Sequence, residues 1–224
     1  MTADLAGRTV VITGTSGALG SGVAAAFAAA GASVVGVDRA EPDAAAVVAG
    51  ARYETADLTD DEQVAAVLDA VATPWAVIST VGGFAPAGSL ADLDVAELDK
   101  QLALNLVTAV TVTKHALRLM LSIGTGRIVL TSSRAATVTK GVGFSYSVSK
   151  LAVLHLAHMA AEQVAKSGIT VNTVVPSIID TPANRAAMPD ADHSRWPKVP
   201  DIAQTYLFLA SPAASLVNGA ALPV

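Results

Sequence analysis

Tyr146 and Lys150 stand four residues apart in the stretch Ser145-Tyr146-Ser147-Val148-Ser149-Lys150, and the apolar positions Leu151, Leu154, Leu156 and Met159 that follow recur at helical spacing. A helix carries residues four apart on one face, so an ammonium would sit beside a phenol. A phenol titrates near pH ~10 in water and a nearby cation favours the phenolate, which moves a tyrosine toward general acid and base work at neutral pH. Chance also produces a Tyr with a Lys four residues on. The pair therefore takes its meaning from the elements around it.

The chain has 224 residues, 52% of them hydrophobic and 15% charged, which is ample for a sizeable core. A net charge of -5 and no dense Lys/Arg run argue against a nucleic-acid surface or an acidic-lipid patch. The absence of cysteine removes disulfide and thiol chemistry and fits a reducing cytosol, so a cytoplasmic location is expected. Thr9 to Val37 carries no charged residue. It does not read as a membrane span, because it is Ala and Gly with scattered Thr and Ser, and its pattern changes from strand to turn to helix to strand. Met1 to Arg8 holds Asp4 and one basic residue, which does not resemble a signal peptide.

The elements alternate along the chain. Thr9 to Thr13 is a β-branched strand ended by Gly14, Ala18 to Ala30 an Ala-rich helix ended by Gly31, and Ser33 to Val37 a second strand stopping at Asp38. Asp43 to Ala49 is expected as a short helix and Ala51 to Thr55 as a third strand. Asp60 to Val71 is an amphipathic helix with Val64, Val67, Leu68 and Val71 on one stripe. Trp75 to Thr80 is a fourth strand broken by Gly82-Gly83. A long helix follows over about Val95 to Leu121, then a strand at Arg127 to Thr131, the Tyr146 to Lys166 helix, and a strand at Ile169 to Val175. Pro176, Pro182, Pro189 and Pro197 mark an irregular excursion before a helix at Ile202 to Leu209 and a last strand at Ala220 to Val224. Apolar strands separated by helices predict an α/β fold: one doubly wound, Rossmann-type parallel sheet of about seven strands, helices on both faces, in a single domain over residues 1–224.

Such a sheet binds its ligand beyond the carboxyl ends of the strands. The first turn there is Gly14-Thr15-Ser16-Gly17-Ala18-Leu19-Gly20. Glycines let the backbone approach a pyrophosphate at the positive end of the following helix, and the last one permits close packing of helix on strand. Glycines at such a place can also be plain punctuation. Asp38 ends the second strand, eighteen residues after Gly20. A carboxylate there accepts hydrogen bonds from an adenosine ribose and repels a 2′-phosphate, so NAD is expected over NADP, tempered by Arg39, which beside the ribose could receive that phosphate.

The chain resembles a short-chain dehydrogenase/reductase over nearly its whole length. The Gly-rich turn, Asp38, Asp57-Leu58, Asn105, Ser133, Tyr146, Lys150 and the stretch from Pro176 to Thr181 fall at that family's spacings, with Ser133 thirteen and Asn105 forty-one residues before Tyr146. The resemblance implies a hydride transfer between the nicotinamide and a small alcohol or carbonyl substrate. Tyr146 would pass the proton to or from the substrate oxygen and Ser133 would hydrogen-bond it. Lys150 would bind the nicotinamide ribose and lower the tyrosine pKa, and Asn105 would hold a water linking the lysine to solvent. Asp57 and Leu58 would flank the adenine; Val81, Gly82, Pro176, Ile179 and Thr181 would complete the cofactor site. The family also implies a homodimer or homotetramer through the apolar stretches Leu102 to Val112 and Leu151 to Met159, which a monomer could equally bury.

The sequence departs from the family pattern at three points. Ala18 stands where glycine is usual, with Gly17 one place earlier giving Gly-x-x-Gly-x-x-Gly; Thr80-Val81-Gly82 replaces Asn-Ala-Gly; and Pro176-Ser177 replaces Pro-Gly. The last two, with Gly82-Gly83-Phe84 and the segment Asp180 to Arg185, are locally similar to the dihydropteridine reductase branch, which acts on a C=N substrate but lacks the serine present here as Ser133. A catalytically idle dinucleotide sensor or scaffold is the other reading, since fold does not fix function. Such proteins tend to lose the tyrosine or lysine, and here all four positions are filled. His155 and His158 read as packing or subunit-contact residues, and Asp190, Asp192 and His193 as solvated or capping groups, so no metal site is expected. A substrate loop over about 178–200, with Phe84, Val142, Phe144, Met188 and Trp196, suggests a mainly apolar substrate pocket.

Overall fold

The computed structural model describes residues 5–85, 88–139 and 143–224. Val142, expected in the substrate pocket, lies outside the described residues. Seven parallel strands pair in the order β3-β2-β1-β4-β5-β6-β7. They are β1 (Thr9–Thr13), β2 (Ser33–Asp38), β3 (Arg52–Thr55), β4 (Ala76–Ser79), β5 (Gly126–Thr131), β6 (Ile169–Val175) and β7 (Ala221–Pro223). The chain starts in the middle, runs to one edge, returns and fills the other side. That reversal between β1 and β4 is the switch point at which an open sheet of this kind leaves a crevice.

Side chains alternate across the pleat, so each strand feeds two cores. Val11 of β1 faces the layer made by α2 (Asp61–Val71), α4 (Thr108–Ile123) and α5 (Phe144–Gln163), with Leu68, Val112, Met120 and Val153 buried against it. Val10 and Ile12 face α1 (Ala18–Ala29) and α7 (Val199–Ala210), where Phe27, Ile202 and Tyr206 are fully buried. Hydrophobic area removed from water on both faces drives this layering. Tyr206 keeps its hydroxyl satisfied in the core by a 2.7 Å hydrogen bond with Thr131 Oγ1.

Several element ends differ from the sequence expectation for local reasons. Asp43 to Ala49 forms only a single 3-10 turn at Ala44–Ala46. Tyr53 Oη accepts a hydrogen bond from Val48 N at 2.9 Å, and Gly50 has φ 79°, so the chain leaves the helical path to reach β3. The long helix is α3 (Val95–Gln101), a π-helical stretch at Leu102–Val107, and α4. By length and composition Val95–Ile123 could cross a membrane; here its buried side packs on β4, β5, α2 and α5. The Tyr146 helix starts two residues early at Phe144 and ends at Gln163. The excursion after β6 contains α6 (Pro182–Ala187), opened by the Thr181 hydroxyl accepting from Asn184 N at 3.2 Å with Pro182 in its first turn. β7 is limited to three residues.

The tightest backbone approach is in the turn after β1. Gly14 takes φ 85°, and a Cβ on Gly20 would lie 2.0 Å from Gly14 O. Gly20→Ala is expected to cost about 1–3 kcal/mol in urea unfolding, while Gly88→Ala, whose Cβ would meet nothing within 4 Å, should change stability by less than about 0.5 kcal/mol. Equal stability of both variants would show that the turn tolerates a side chain.

Candidate active site

β5 delivers three consecutive groups to the carboxyl edge of the sheet. Thr131 O accepts a hydrogen bond from Lys150 Nζ at 3.1 Å, Ser132 Oγ donates to Lys150 O at 2.7 Å, and Ser133 Oγ accepts from Ala135 N at 3.2 Å as it caps a short 3-10 turn. The start of α5 and the end of β5 are thereby fixed together. Ser133 also hydrogen-bonds the Tyr146 hydroxyl. The structure thus gathers Ser133, Tyr146 and Lys150 as the sequence spacing predicts.

Their protonation differs from expectation. Burial raises the Tyr146 pKa above its ordinary value, and the Ser133 hydrogen bond opposes that shift without cancelling it. The lysine was expected to lower it, yet desolvation dominates and the phenol is protonated at neutral pH. Lys150 is 3% exposed, and burial brings its pKa down to about 8. It is still largely an ammonium at pH 7. Among the described residues only one of its three N–H donors has a partner, Thr131 O, in a fully buried setting.

Asn105 lies in the π-helical stretch, a widened turn of the kind often found at functional sites. Its Oδ1 accepts from Gly83 N at 3.0 Å, and its Nδ2 donates to Gln101 Oε1 at 3.0 Å, Ser149 Oγ at 3.0 Å and Gly83 O at 3.3 Å. The side-chain amide is therefore engaged by protein groups, and it ties the loop after β4 to α5. A Cβ on Gly82 would fall 2.6 Å from both Asn105 Oδ1 and Lys150 Nζ. Gly82 is thus where the π-helical stretch and α5 present their polar groups to the crevice with no side chain between.

A cleft of about 390 Å³ opens at the switch point, lined by Gly14, Gly17, Asp38, Arg39, Asp57, Leu58, Val81 and Gly82 among the residues expected to hold a dinucleotide. Asp38 Oδ2 accepts from Ser16 N at 2.9 Å and Oδ1 from Arg39 N at 2.7 Å. One amide of the Gly-rich turn, Ser16 N, and the amide of the residue after Asp38, Arg39 N, thus hold a carboxylate at the outer end of the cleft. Asp57 is held below the usual carboxylate range by hydrogen bonds from Thr59. Ser16, Ala18, Leu19 and Gly20 frame the turn without lining the cleft. Pro176, Ile179 and Thr181 also lie outside it: Pro176 O accepts from Arg134 N, Ile179 O from Asn184 Nδ2, and Thr181 caps α6.

Thr59, Thr80, Lys100, Ala103, Leu104 and Thr108 also line the cleft, and the sequence reading missed them. Lys100, Ala103, Leu104 and Thr108 sit three, four and eight residues apart, one stripe of the helical run, and that periodicity was the available signal. The residues present fit a dinucleotide: a glycine-walled turn, a carboxylate at the ribose end, and a buried ammonium with donors to spare at the other.

On the substrate side, the Phe84 ring meets Tyr146 edge-on with centroids 5.3 Å apart, and Phe144 is also exposed. Met188 and Trp196 are brought together through His193, whose Nε2 is 2.7 Å from Met188 O and whose ring lies 4.4 Å from Trp196. His193 and Asp192, which accepts from Ser194 N, serve as local caps. His155 and His158 are exposed on α5.

A family model described as enoyl-(acyl carrier protein) reductase matches residues 14–224. A cis-4-hydroxycyclohexanecarboxylate dehydrogenase of Sinomonas cyclohexanicum is 34% identical over 97% of this chain and 94% of its own length. A galactitol 2-dehydrogenase of Rhizobium johnstonii is 34% identical over 98% and 94%. Among solved structures, a short-chain type dehydrogenase/reductase from Mycobacterium ulcerans superposes with a TM-score of 0.92 at 34% identity, covering 99% of this chain and 89% of that one.

The buried ammonium has a measurable signature. Lys150 has a folded pKa of about 8, below its ordinary ~10.4, so the unfolded chain holds the proton more tightly. The penalty is fully present below pH ~8 and is relieved between pH ~8 and ~10.4, over which stability rises with pH by on the order of 3 kcal/mol. Lys150→Met should lack this gain in denaturant titrations at pH 7 and 10. An unchanged pH slope would show that the ammonium is not desolvated as described.

Proposed function

The chain belongs to the short-chain dehydrogenase/reductase family, oxidoreductases of alcohols and carbonyls that use a nicotinamide dinucleotide, and from that we propose an NAD(H)-dependent interconversion of an alcohol and a carbonyl with Tyr146 as general acid and base. The observation that carries it is the joint placement of Ser133, Tyr146 and Lys150 by β5 and α5 beside the cleft. When bound, the nicotinamide supplies or accepts the hydride. The Tyr146 hydroxyl, protonated at neutral pH, gives its proton to the developing alkoxide in reduction and takes it back in oxidation. Ser133 hydrogen-bonds the same oxygen and holds it against Tyr146. Lys150, with two N–H donors unpartnered among the described residues, binds the nicotinamide ribose and sets a positive charge where the phenolate forms. Asn105, pinned by Gly83, Gln101 and Ser149, fixes the spacing of α4 and α5 around that ammonium.

NAD is favoured over NADP by the Asp38 carboxylate, which stands at the end of β2 where an adenosine ribose would lie and would repel a 2′-phosphate. Ser133 favours a carbonyl over the C=N substrate of the dihydropteridine reductase type, and the filled tyrosine and lysine positions favour an enzyme over a silent sensor. The two relatives act, by their names, on a ring alcohol bearing a carboxylate and on an open-chain polyol. Phe84 and Phe144 beside Tyr146, with Met188 and Trp196 of the 178–200 loop, supply an apolar wall that suits a small substrate with a hydrocarbon body. The exposed residues Val107 of the π-helical stretch, Val110 and Leu121 on α4, and Val148, Leu151 and Met159 on α5, suit a homodimer or homotetramer. The cysteine-free composition suits the cytoplasm.

Tyr146→Phe is expected to bind NADH as the unmodified protein does and to lose roughly 100-fold or more in turnover, read by fluorescence binding and steady-state assay on the same preparation; unchanged turnover would assign the proton transfer elsewhere. Asp38→Ala should narrow the ratio of kcat/KM for NADH over NADPH. A preference for NADPH before any substitution would overturn the cofactor assignment.

A further inference from the structure

Most positive side chains around the substrate side of the crevice are already committed. Arg185 forks onto Asp180 at 2.5 and 3.0 Å, Lys198 lies within the field of the same carboxylate, and Arg195 within that of Asp192. Lys150 is buried beneath Thr131. Arg134 differs from all of these. It is exposed, and among the described residues its guanidinium has no hydrogen bond, ion pair or ring partner.

Its place in the fold is fixed. Arg134 directly follows Ser133, so their Cα atoms are ~3.8 Å apart. Its N donates to Pro176 O at 2.9 Å, which ties the turn after β5 to the turn after β6, and its O accepts from Thr137 N at 3.0 Å and Thr137 Oγ1 at 3.1 Å. The next two residues, Ala135 and Ala136, are buried, and Ser147 Oγ of α5 donates to Ala135 O at 2.6 Å. A rigid backbone thus presents one long, unpaired cation between the carboxyl ends of two strands, next to the serine that would hold the substrate oxygen.

We propose that Arg134 recognises a carboxylate carried by the substrate at the end remote from the reacting carbon, so that this enzyme prefers small hydroxy acids and keto acids over neutral alcohols and ketones. The proposal rests on the alcohol and carbonyl reading above. The wall made by Phe84 and Tyr146 accepts a hydrocarbon middle, Ser133 and Tyr146 take the reacting oxygen, and the planar guanidinium fork matches a carboxylate with two parallel hydrogen bonds. The overall charge of -5 opposes an approaching anion, so an anionic substrate needs a local cation of this kind. The bland alternative is an arginine that is merely solvated.

The test uses the intact protein with NAD and two ring alcohols of one shape, 4-hydroxycyclohexanecarboxylate and its methyl ester. The acid should have the higher kcat/KM, and raising ionic strength should erode its advantage. In Arg134→Gln the acid-over-ester ratio should fall about 10–100-fold, the usual effect of removing a charged hydrogen-bond partner, with most of the loss in KM for the acid; Arg134→Lys should restore part of it. A ratio unchanged by Arg134→Gln, or an ester turned over as well as the acid by the unmodified protein, overturns the proposal while leaving the dehydrogenase reading intact. Turnover of neither compound, nor of the corresponding ketones with NADH, likewise overturns the proposal; failure to oxidise NADH with any ketone or aldehyde overturns the reading it rests on as well.

Discussion

The site is organised around one costly arrangement, an ammonium buried by packing and met, among the described residues, by a single backbone carbonyl. Lys150 makes its hydrogen bond to Thr131 O at the end of β5 and pays for burial in a lowered pKa of about 8. Everything near it serves to hold that charge in place. The Thr131 hydroxyl is bound to Ser79 O at 2.5 Å and to Tyr206 at 2.7 Å, so the residue offering the carbonyl is locked from β4 and from α7. Ser132 grips the lysine backbone, and Gly82 leaves the space the ammonium occupies. A buried, incompletely paired charge is a stability cost, and the surrounding polar bonds prevent the chain from relieving it by rearrangement.

Much of this was legible in the sequence because the signals are local. The glycine spacing after β1, Asp38 at the end of β2, and the alternation of apolar strands with helices each follow from neighbouring residues, and the structure has them where expected. Tyr146 and Lys150 share a helix face because four residues make about one turn. What the sequence left hidden depends on distant partners. Nothing near Asp43 announces that Tyr53 will capture Val48 N and stop a helix at a single turn. Nothing near Asn105 announces the wide turn, which is sustained by Gly83 and Ser149, 22 and 44 residues away. The Tyr146 pKa was expected to fall on the strength of a charge four residues away, whereas desolvation, a property of the whole packed site, raises it against the opposing Ser133 hydrogen bond.

The segment from 178 to 200 shows the same division between local and distant control. Its proline spacing reads as irregular, yet Thr181, Pro182 and Asn184 build a short helix from local capping alone. The neck is closed by contacts across the loop: Asp180 N donates to Pro197 O at 2.9 Å, and Asp180 pairs with Lys198 as an isolated bridge. Between these points the Asp180 to Arg185 ion pair and the His193 to Trp196 contact give the segment an internal structure of its own. Loop shape therefore follows from a few polar contacts.

The π-helical stretch at Leu102–Val107 has a consequence for how this site can be lost. Each residue in an α-helix turns the chain by about 100°, so a widened turn acts as a phase shift between α3, which carries Gln101, and α4, which reaches the sheet. Removing a single residue there would restore an even helical pitch and leave every polar side chain of the site in the sequence. Asn105 would then point along a different bearing from Gly83 and Ser149. The arrangement is a matter of counting as well as of chemistry, and a chain with all four family residues intact could still be out of step.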